Sequence, residues 1–428
     1  MIQMIDSIYL KIRHQGVLLY FNAIYPQILK HRAKGIGKKK SIEVVFFAIN
    51  VAMWRYQGVY DLLAKDERFN CHIVLTSARQ FSPEQRVSNL ATMRNYFDSL
   101  GVSYIDYDEE QDKGFDVKGK INPDILFYPQ PYVDQYVDYH RYDKFYDKLL
   151  CYIPYSINVL KEDNWIYDLN FHNLVWKIYL PLIWEKRVAE KVARNHGRNA
   201  LVSGYLNLDR YLDGSEMANV WKIKDKEHKR LIWAPHFSVD TEHALLKGRA
   251  NFLWMSQIML DIAVEYKDRL QIAFKPHPWL KSKLYELPDW GKEKTDQYFE
   301  KWAMMENTQL ETEDFVDLFK SSDAMIHDSG SFTAEYLFVN KPVAFTTKDI
   351  QSLMDEHSTF GRECLKQHYV LGNEEEVRSF IDSVVLDGKD PKANQRKVFF
   401  DSVLRPNVKG TTSDFIVADL KKSLGIKR

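Results

Sequence analysis

Apolar positions along this chain follow two alternating patterns. Solid apolar runs such as Ile42-Glu43-Val44-Val45-Phe46-Phe47-Ala48-Ile49 suit strands buried on both faces. Stretches with apolar residues three or four apart, the helical period, lie between them. Strands are expected at residues 71–75, 102–105, 123–128 and 149–153, with helices over 54–63 and 84–100, the second ended by Gly101. A long helix is expected over 170–197, then a strand at 200–205 that runs into a turn. A second series starts at 230–234 and continues with a helix near 249–266 and a strand at 270–274. Helices near 295–305 and 313–320 follow, then strands at 324–327 and 342–345. Strand and helix in strict alternation predict parallel sheets flanked by helices.

The ends of the chain depart from this rhythm. Residues 1–33 read as one helix with a stripe of Ile2, Ile5, Ile8, Tyr9, Ile12, Leu18, Leu19 and Phe21. Lys30-His31-Arg32-Ala33-Lys34-Gly35-Ile36-Gly37-Lys38-Lys39-Lys40 then carries no acid. Such a helix could lie on an anionic membrane face, and the same stripe equally fits a helix packed on its own domain. The charged stretch 214–230 reads as a linker. The expected organisation is therefore an amphipathic, basic region (1–40), an N-terminal Rossmann-like domain (41–215), a C-terminal Rossmann-like domain (228–400) and a helical tail (401–428). Two such halves facing a central cleft make the α/β architecture of the GT-B class.

Composition narrows the function classes. Lys+Arg and Asp+Glu are equal at 59, so no global field draws nucleic acid. A chain of 428 residues with 45% hydrophobic content has ample material for two cores. Cys71, Cys151 and Cys364 lie far apart with no CxxC spacing, which argues against a disulfide scaffold and against zinc. No run approaches the ~18–20 apolar residues of a membrane span. Asp6, Lys11, Arg13 and His14 interrupt any signal-peptide pattern, so a cytoplasmic protein is expected.

In open parallel sheets, ligands bind beyond the carboxyl ends of the strands. In the second half those positions are polar: Pro235-His236-Phe237-Ser238, Lys275-Pro276-His277-Pro278 and Asp328-Ser329-Gly330-Ser331, with Glu335 one helical turn further on. A Gly- and Ser-bearing turn that opens a helix offers backbone N–H groups and hydroxyls to a phosphate. Asp328 or Ser329 could equally be a simple helix cap. Lys275 and His277 emerge from an apolar strand in a turn stiffened by two prolines, the cation and donor that a transferring phosphoryl group needs.

Phe274-Lys275-Pro276-His277-Pro278, then Ser322-Asp323-Ala324-Met325-Ile326-His327-Asp328-Ser329-Gly330-Ser331-Phe332, Glu335 and Lys341-Pro342-Val343-Ala344-Phe345 occur in a telling order. They resemble the C-terminal half of the CDP-glycerol glycerophosphotransferase family, the teichoic-acid and capsule polyol-phosphate transferases. That family has a basic-x-His-Pro turn, an Asp-x-Ser-Ser turn after a Ser-Asp strand, an acidic residue seven positions after the Asp, and a Lys-Pro strand. Glu335 lies seven after Asp328. Gly204-Tyr205 with Asp209 resembles the family's segment near the domain junction, and the likeness spans residues 150–350. It implies a GT-B fold, a CDP-polyol donor and peripheral attachment to the inner membrane face; separately, no carboxylate pair is spaced as a metal motif, so the sequence requires no metal or cofactor. It further implies that Lys275 and His277 face the donor phosphates, that the Asp328–Ser331 turn holds the pyrophosphate, and that Glu335 binds ribose or polyol hydroxyls.

The chain departs from the family at one point. A His-Gly-Thr turn in the family's N-terminal half carries a His that looks like the base for the acceptor hydroxyl, whereas Tyr152-Ile153-Pro154-Tyr155-Ser156 stands here. A base of matched pKa is worth about 10²–10⁴ in rate. His236 and His172 are the candidate substitutes, His236 the better placed at a strand end. Three functions follow: transfer of glycerol- or ribitol-phosphate to a polysaccharide or lipid-linked hydroxyl, GT-B glycosyl transfer from a nucleotide sugar, or a non-catalytic binding role in polysaccharide assembly.

Overall fold

A computed structural model of the chain describes residues 15–108, 114–161, 166–212, 219–225, 227–239, 251–312, 315–405 and 410–426. The chain divides into two compact units. One comprises Met1–Ser156, Glu162–Asp209 and Pro406–Arg428, the other Ile157–Lys161 and Arg210–Arg405.

The first unit is built on β1 (Ile42–Ala48), β2 (Phe69–Leu75), β3 (Ile125–Tyr128), β4 (Leu149–Tyr152), β5 (Lys177–Leu180) and β6 (Ala200–Val202). Their order is β2-β1-β3-β4-β5-β6, and every pair is parallel. Successive side chains of β1 enter opposite cores. Val44 and Phe46 join one with Phe127 and Cys151, and Val45 and Phe47 join the other with Leu126 and Leu150. Burial on both faces is why the strand reads as an unbroken apolar run.

The expected helix over 170–197 is instead a helix (Asn170–Leu174), strand β5 and a second helix (Ile183–Val192). Pro181 follows β5 directly. A proline lacks the N–H that a helix needs and pushes the preceding residue towards extended backbone. The strand expected at 102–105 is reduced to a single bridge, Ile105 opposite Val74.

The Tyr25–Ile36 helix turns Tyr25, Leu29, Ala33 and Ile36 into the first core. Its basic flank is partly engaged on the same domain. Arg32 Nη1 donates to the carbonyls of Tyr146 and Lys148, and Lys39 Nζ pairs with Asp124 at 2.6 Å. Ile2, Ile5, Ile8, Tyr9 and Ile12 lie outside the described residues. The C-terminal Thr412–Leu424 helix packs on the Tyr25–Ile36 and Gln57–Ala64 helices and buries Ile416, Val417, Leu420 and Leu424. Asp209 anchors its start: Oδ1 accepts from Thr412 N at 2.7 Å, and Oδ2 accepts from Ser413 N at 2.9 Å and Ser413 Oγ at 2.8 Å. Of the residues expected as a helical tail, 412–424 therefore pack into the first unit, whereas 401–405 belong to the second.

The second unit carries β7 (Lys229–Ala234), β8 (Leu270–Phe274), β9 (Thr308–Leu310), β10 (Ala324–His327), β11 (Val343–Thr346) and β12 (Tyr369–Leu371). The order is β12-β11-β10-β7-β8-β9, again all parallel. The chain enters at central β7, runs outward through β8 and β9, and then crosses to β10 on the other flank. That reversal leaves a crevice between the carboxyl ends of β7 and β10, where open sheets of this kind hold ligands.

Candidate functional site

His327, the last residue of β10, stands opposite Ala234, the last of β7, so the segments after these two strands leave the sheet side by side. The Asp328 carboxylate ties them together. Its oxygens accept from His236 N at 2.6 Å and from Asn251 N at 2.5 Å. Burial raises Asp328 to about 6 against the pull of the Asn251 and His236 amides. The β8 end joins through His277 N, which donates to Pro235 O at 3.0 Å, and the His236 and His277 rings lie 5.2 Å apart. The strand ends picked out by sequence thus form one row. Within it Asp328 is a brace, its two oxygens spent on backbone amides.

One local device recurs along the row. His236 Nδ1 accepts from Ser238 N at 3.3 Å, His277 Nδ1 from Trp279 N at 3.1 Å, and His327 Nδ1 from Ser329 N at 3.2 Å. An imidazole that accepts at Nδ1 in its neutral form carries its proton on Nε2. All three rings are therefore held as Nε2–H donors by the amide two residues on. Burial, with His236 adding to it, pushes His277 down to about 3, so this ring offers a neutral N–H donor at physiological pH. The role of base for His236 requires the opposite tautomer.

In the turn itself, Ser329 Oγ and Ser331 Oγ lie 3.3 Å apart, and Thr333 Oγ1 donates to Ser329 O at 3.1 Å. The helix that follows is only Phe332–Glu335 before a 3₁₀ segment to Val339, so its dipole is short. An added Cβ at Gly330 would meet nothing nearer than Leu160 Cδ2 at 4.0 Å, and the backbone there is outside the left-handed region. Glu335 is buried, with Tyr211 Oη donating to Oε1 at 3.5 Å. Lys275 is buried and its Nζ stands over the Phe315 ring at 5.6 Å. The outer end of the row is aromatic: Phe237 lies 4.5 Å from His277 and 5.1 Å from the exposed Trp279.

In the first unit, the segment after β4 carries Tyr155, whose carbonyl accepts from Arg55 Nε at 3.4 Å and Tyr205 Oη at 3.3 Å. Burial raises the Tyr155 phenol, with Ser156 and Arg55 working against it. His172 is buried beside Tyr152 and Tyr167, its Nδ1 accepts from Leu169 N at 3.3 Å, and burial pushes it down to about 3. It belongs to the core rather than to the strand-end row of the second unit. Among the described residues no group of three or more His, Cys, Asp or Glu is placed to hold a metal, and no helix is long and apolar enough to cross a membrane.

Two α/β units, each on a six-stranded parallel sheet, with a polar row at the switch point of the second, define a GT-B-type protein. No family model matches the chain, and no curated protein matches it in sequence. Among solved structures, a variant of the wall teichoic acid polymerase TagF matches with a TM-score of 0.59 at 12% identity, covering 98% of each chain. A second TagF structure, soaked with CDPG, gives 0.57 at 12% identity over 98% of each chain. UDP-N-acetylglucosamine 2-epimerases match comparably. The putative enzyme from Listeria monocytogenes gives 0.57 at 12% identity over 90% of this chain and 96% of its own. The Neisseria meningitidis enzyme bound to UDP-GlcNAc gives 0.56 at 13% identity over 89% of this chain and 100% of its own. At these identities the likeness is one of fold, and it includes the polyol-phosphate transferase type that the sequence resembles.

Sequence reasoning missed Asn251, Trp279, His327 and His368 as neighbours of the row. Trp279 carried a usable signal, standing two residues after a singled-out histidine. The others become visible only through strand order and the packing behind the turn.

Proposed function

We propose that this chain transfers glycerol-phosphate or ribitol-phosphate from a CDP-activated donor to a hydroxyl of a cell-surface polysaccharide or lipid-linked acceptor. The observation that carries this reading is the row at the β10, β7 and β8 ends. Asp328 locks it together, it presents imidazole N–H donors at His236 and His277, and it is flanked by Lys275 and the open, hydroxyl-bearing Ser329–Ser331 turn. In the transfer, the acceptor oxygen bonds to the β-phosphorus. The bond from that phosphorus to the bridging oxygen breaks, CMP leaves with the electron pair, and the acceptor proton passes to a base. Donors aimed at the non-bridging oxygens stabilise charge as it spreads over them. Glu335 would serve the donor's hydroxyls.

The likeness to UDP-GlcNAc-bound epimerases supports a second reading, a GT-B enzyme that uses a nucleotide sugar. Calorimetric titration with CDP-glycerol, CDP-ribitol and UDP-sugars separates the two. Preferential CDP-polyol binding, weakened by His277→Ala and by Ser331→Ala, supports the first, and product mass on a lipid-linked acceptor then identifies the group moved. Preference for a UDP-sugar would replace it with the second.

Peripheral attachment to an anionic membrane belongs to the same reading. Tyr20, Ile24 and Ile28 are exposed at four-residue spacing. Because the helix also supplies core residues, the suitable test is Ile24→Asp with Ile28→Asp. Unchanged sedimentation with phosphatidylglycerol vesicles would remove the membrane role.

A further inference from the structure

His327 turns its Nε2–H towards a second buried ring. His368 Nε2 lies 3.1 Å from His327 Nε2, and His368 Nδ1 lies 2.9 Å from the carbonyl of Cys364, near the end of the Thr359–Leu365 helix. A carbonyl can only accept, so His368 carries its proton on Nδ1 and presents a lone pair at Nε2. That lone pair takes the Nε2–H of His327, whose Nδ1 lone pair takes the N–H of Ser329. Every donor meets an acceptor in one continuous line from Cys364 O to the turn. Both rings are buried, at 1% exposure each, so water does not substitute for a lost partner.

Building on the donor-site reading above, we propose that His327 and His368 are positioning residues, a neutral two-ring strut that holds the Ser329–Ser331 turn in register for a diphosphate. A proton on His368 Nε2 would oppose the Nε2–H of His327, and one on His327 Nδ1 would oppose the N–H of Ser329. Either breaks the line at a buried junction. Burial keeps both rings neutral; His357 adds to this on both, and Arg396 and Lys392 place positive charge near His368, while the Cys364 carbonyl works the other way. Arg396 is paired with Asp390, and Lys392 Nζ donates to Lys366 O at 2.7 Å. The ring faces of His327 meet Phe345 at 5.1 Å and Phe332 at 6.4 Å, which add no charge. Burial pushes His368 down to about 3 and His327 in the same direction. Asp328, the next residue, braces the same turn towards β7, so the two side chains fix it from opposite sides.

The test uses full-length protein, with CDP and inorganic pyrophosphate as probes. His368→Leu leaves the His327 N–H unpartnered, and binding of both probes at pH 7.5 is expected to weaken about tenfold with the unfolding midpoint of the other domain unchanged. His368→Gln places an amide oxygen where Nε2 stood and cannot take a proton. It is expected to restore affinity at pH 7.5. Equal affinities in wild type and His368→Leu, or no recovery of affinity in His368→Gln, would overturn the proposal. If the wild type binds neither probe, the donor-site reading fails instead. The strut is then judged on ligand-free protein by ¹⁵N-histidine NMR and exchange of the Ser329 amide. His327 protonated at Nδ1, or Ser329 exchange unaltered by His368→Leu, sinks it.

Discussion

Gly330→Ala separates folding from binding at the candidate turn. The added methyl meets only Leu160 Cδ2 at 4.0 Å, ordinary van der Waals contact, and the backbone conformation suits alanine. Replacing glycine where the native conformation permits it restricts the unfolded chain, so stability should hold or rise by up to about 1 kcal/mol. A diphosphate seated on the turn would occupy the space the methyl takes. Forcing a methyl-sized group into a filled contact costs about 1–3 kcal/mol, which is roughly five- to 150-fold in Kd. Thermal unfolding and calorimetric titration with CDP-glycerol, run on the same preparation, read both quantities. The expected result is an unchanged or higher Tm with clearly weaker binding. Wild-type affinity in the alanine variant would refute the placement of phosphate against this turn, whatever binds elsewhere.

Other expectations concern what holds the two units together internally. Asp209→Ala removes three hydrogen bonds at the start of the Thr412–Leu424 helix and should cost about 1–3 kcal/mol, seen as faster amide exchange over residues 412–424 with the second unit unaffected. Lys341 Nζ donates to the carbonyls of Phe319, Lys320 and Ser322 at the end of the Val316–Ser321 helix. Lys341→Met orphans these acceptors and should cost the second unit about 1–3 kcal/mol in urea unfolding. His140 is buried, with Nδ1 at 2.6 Å from Thr76 Oγ1 and Nε2 at 3.0 Å from Phe115 O, and burial pushes it down to about 4. Its folded value lies below the unfolded one near 6.5, so the unfolded chain gains a proton first. The stability that His140 adds above pH 6.5, read as the difference between wild type and His140→Asn, should then be lost by about 1.4 kcal/mol per unit as pH falls towards 4. Urea titrations of both proteins at pH 7, 6 and 5 check this, and a pH-independent difference would contradict it.

The parts legible in the sequence were those where local pattern and burial coincide. Val44–Phe47 and Leu270–Phe274 are covered on both faces, so their apolar runs could only be interior strands. β9 and β12 escaped notice because they are three-residue edge strands with partly exposed residues, and such segments carry no unbroken run. β5 was absorbed into a supposed helix although Pro181 marked its end. At the site, the residues after β7, β8 and β10 could be picked out one by one. Their convergence depends on strand order, which periodicity does not encode. Asp328, which belongs to the turn picked out in the linear motif, is engaged with backbone amides from other elements, a contact that only the fold brings about.

The return of the last helix to the first sheet has a consequence for how the chain comes off the ribosome. Ile416, Val417, Leu420 and Leu424 fill a core whose other walls are made hundreds of residues earlier, with the whole second unit inserted between. The N-terminal half must therefore wait, incompletely sealed, while the later half is synthesised and closes on its own. A released chain truncated after residue 405 should show a protease-resistant second unit beside a first unit still open to cleavage, an inversion of the usual N-to-C order of maturation.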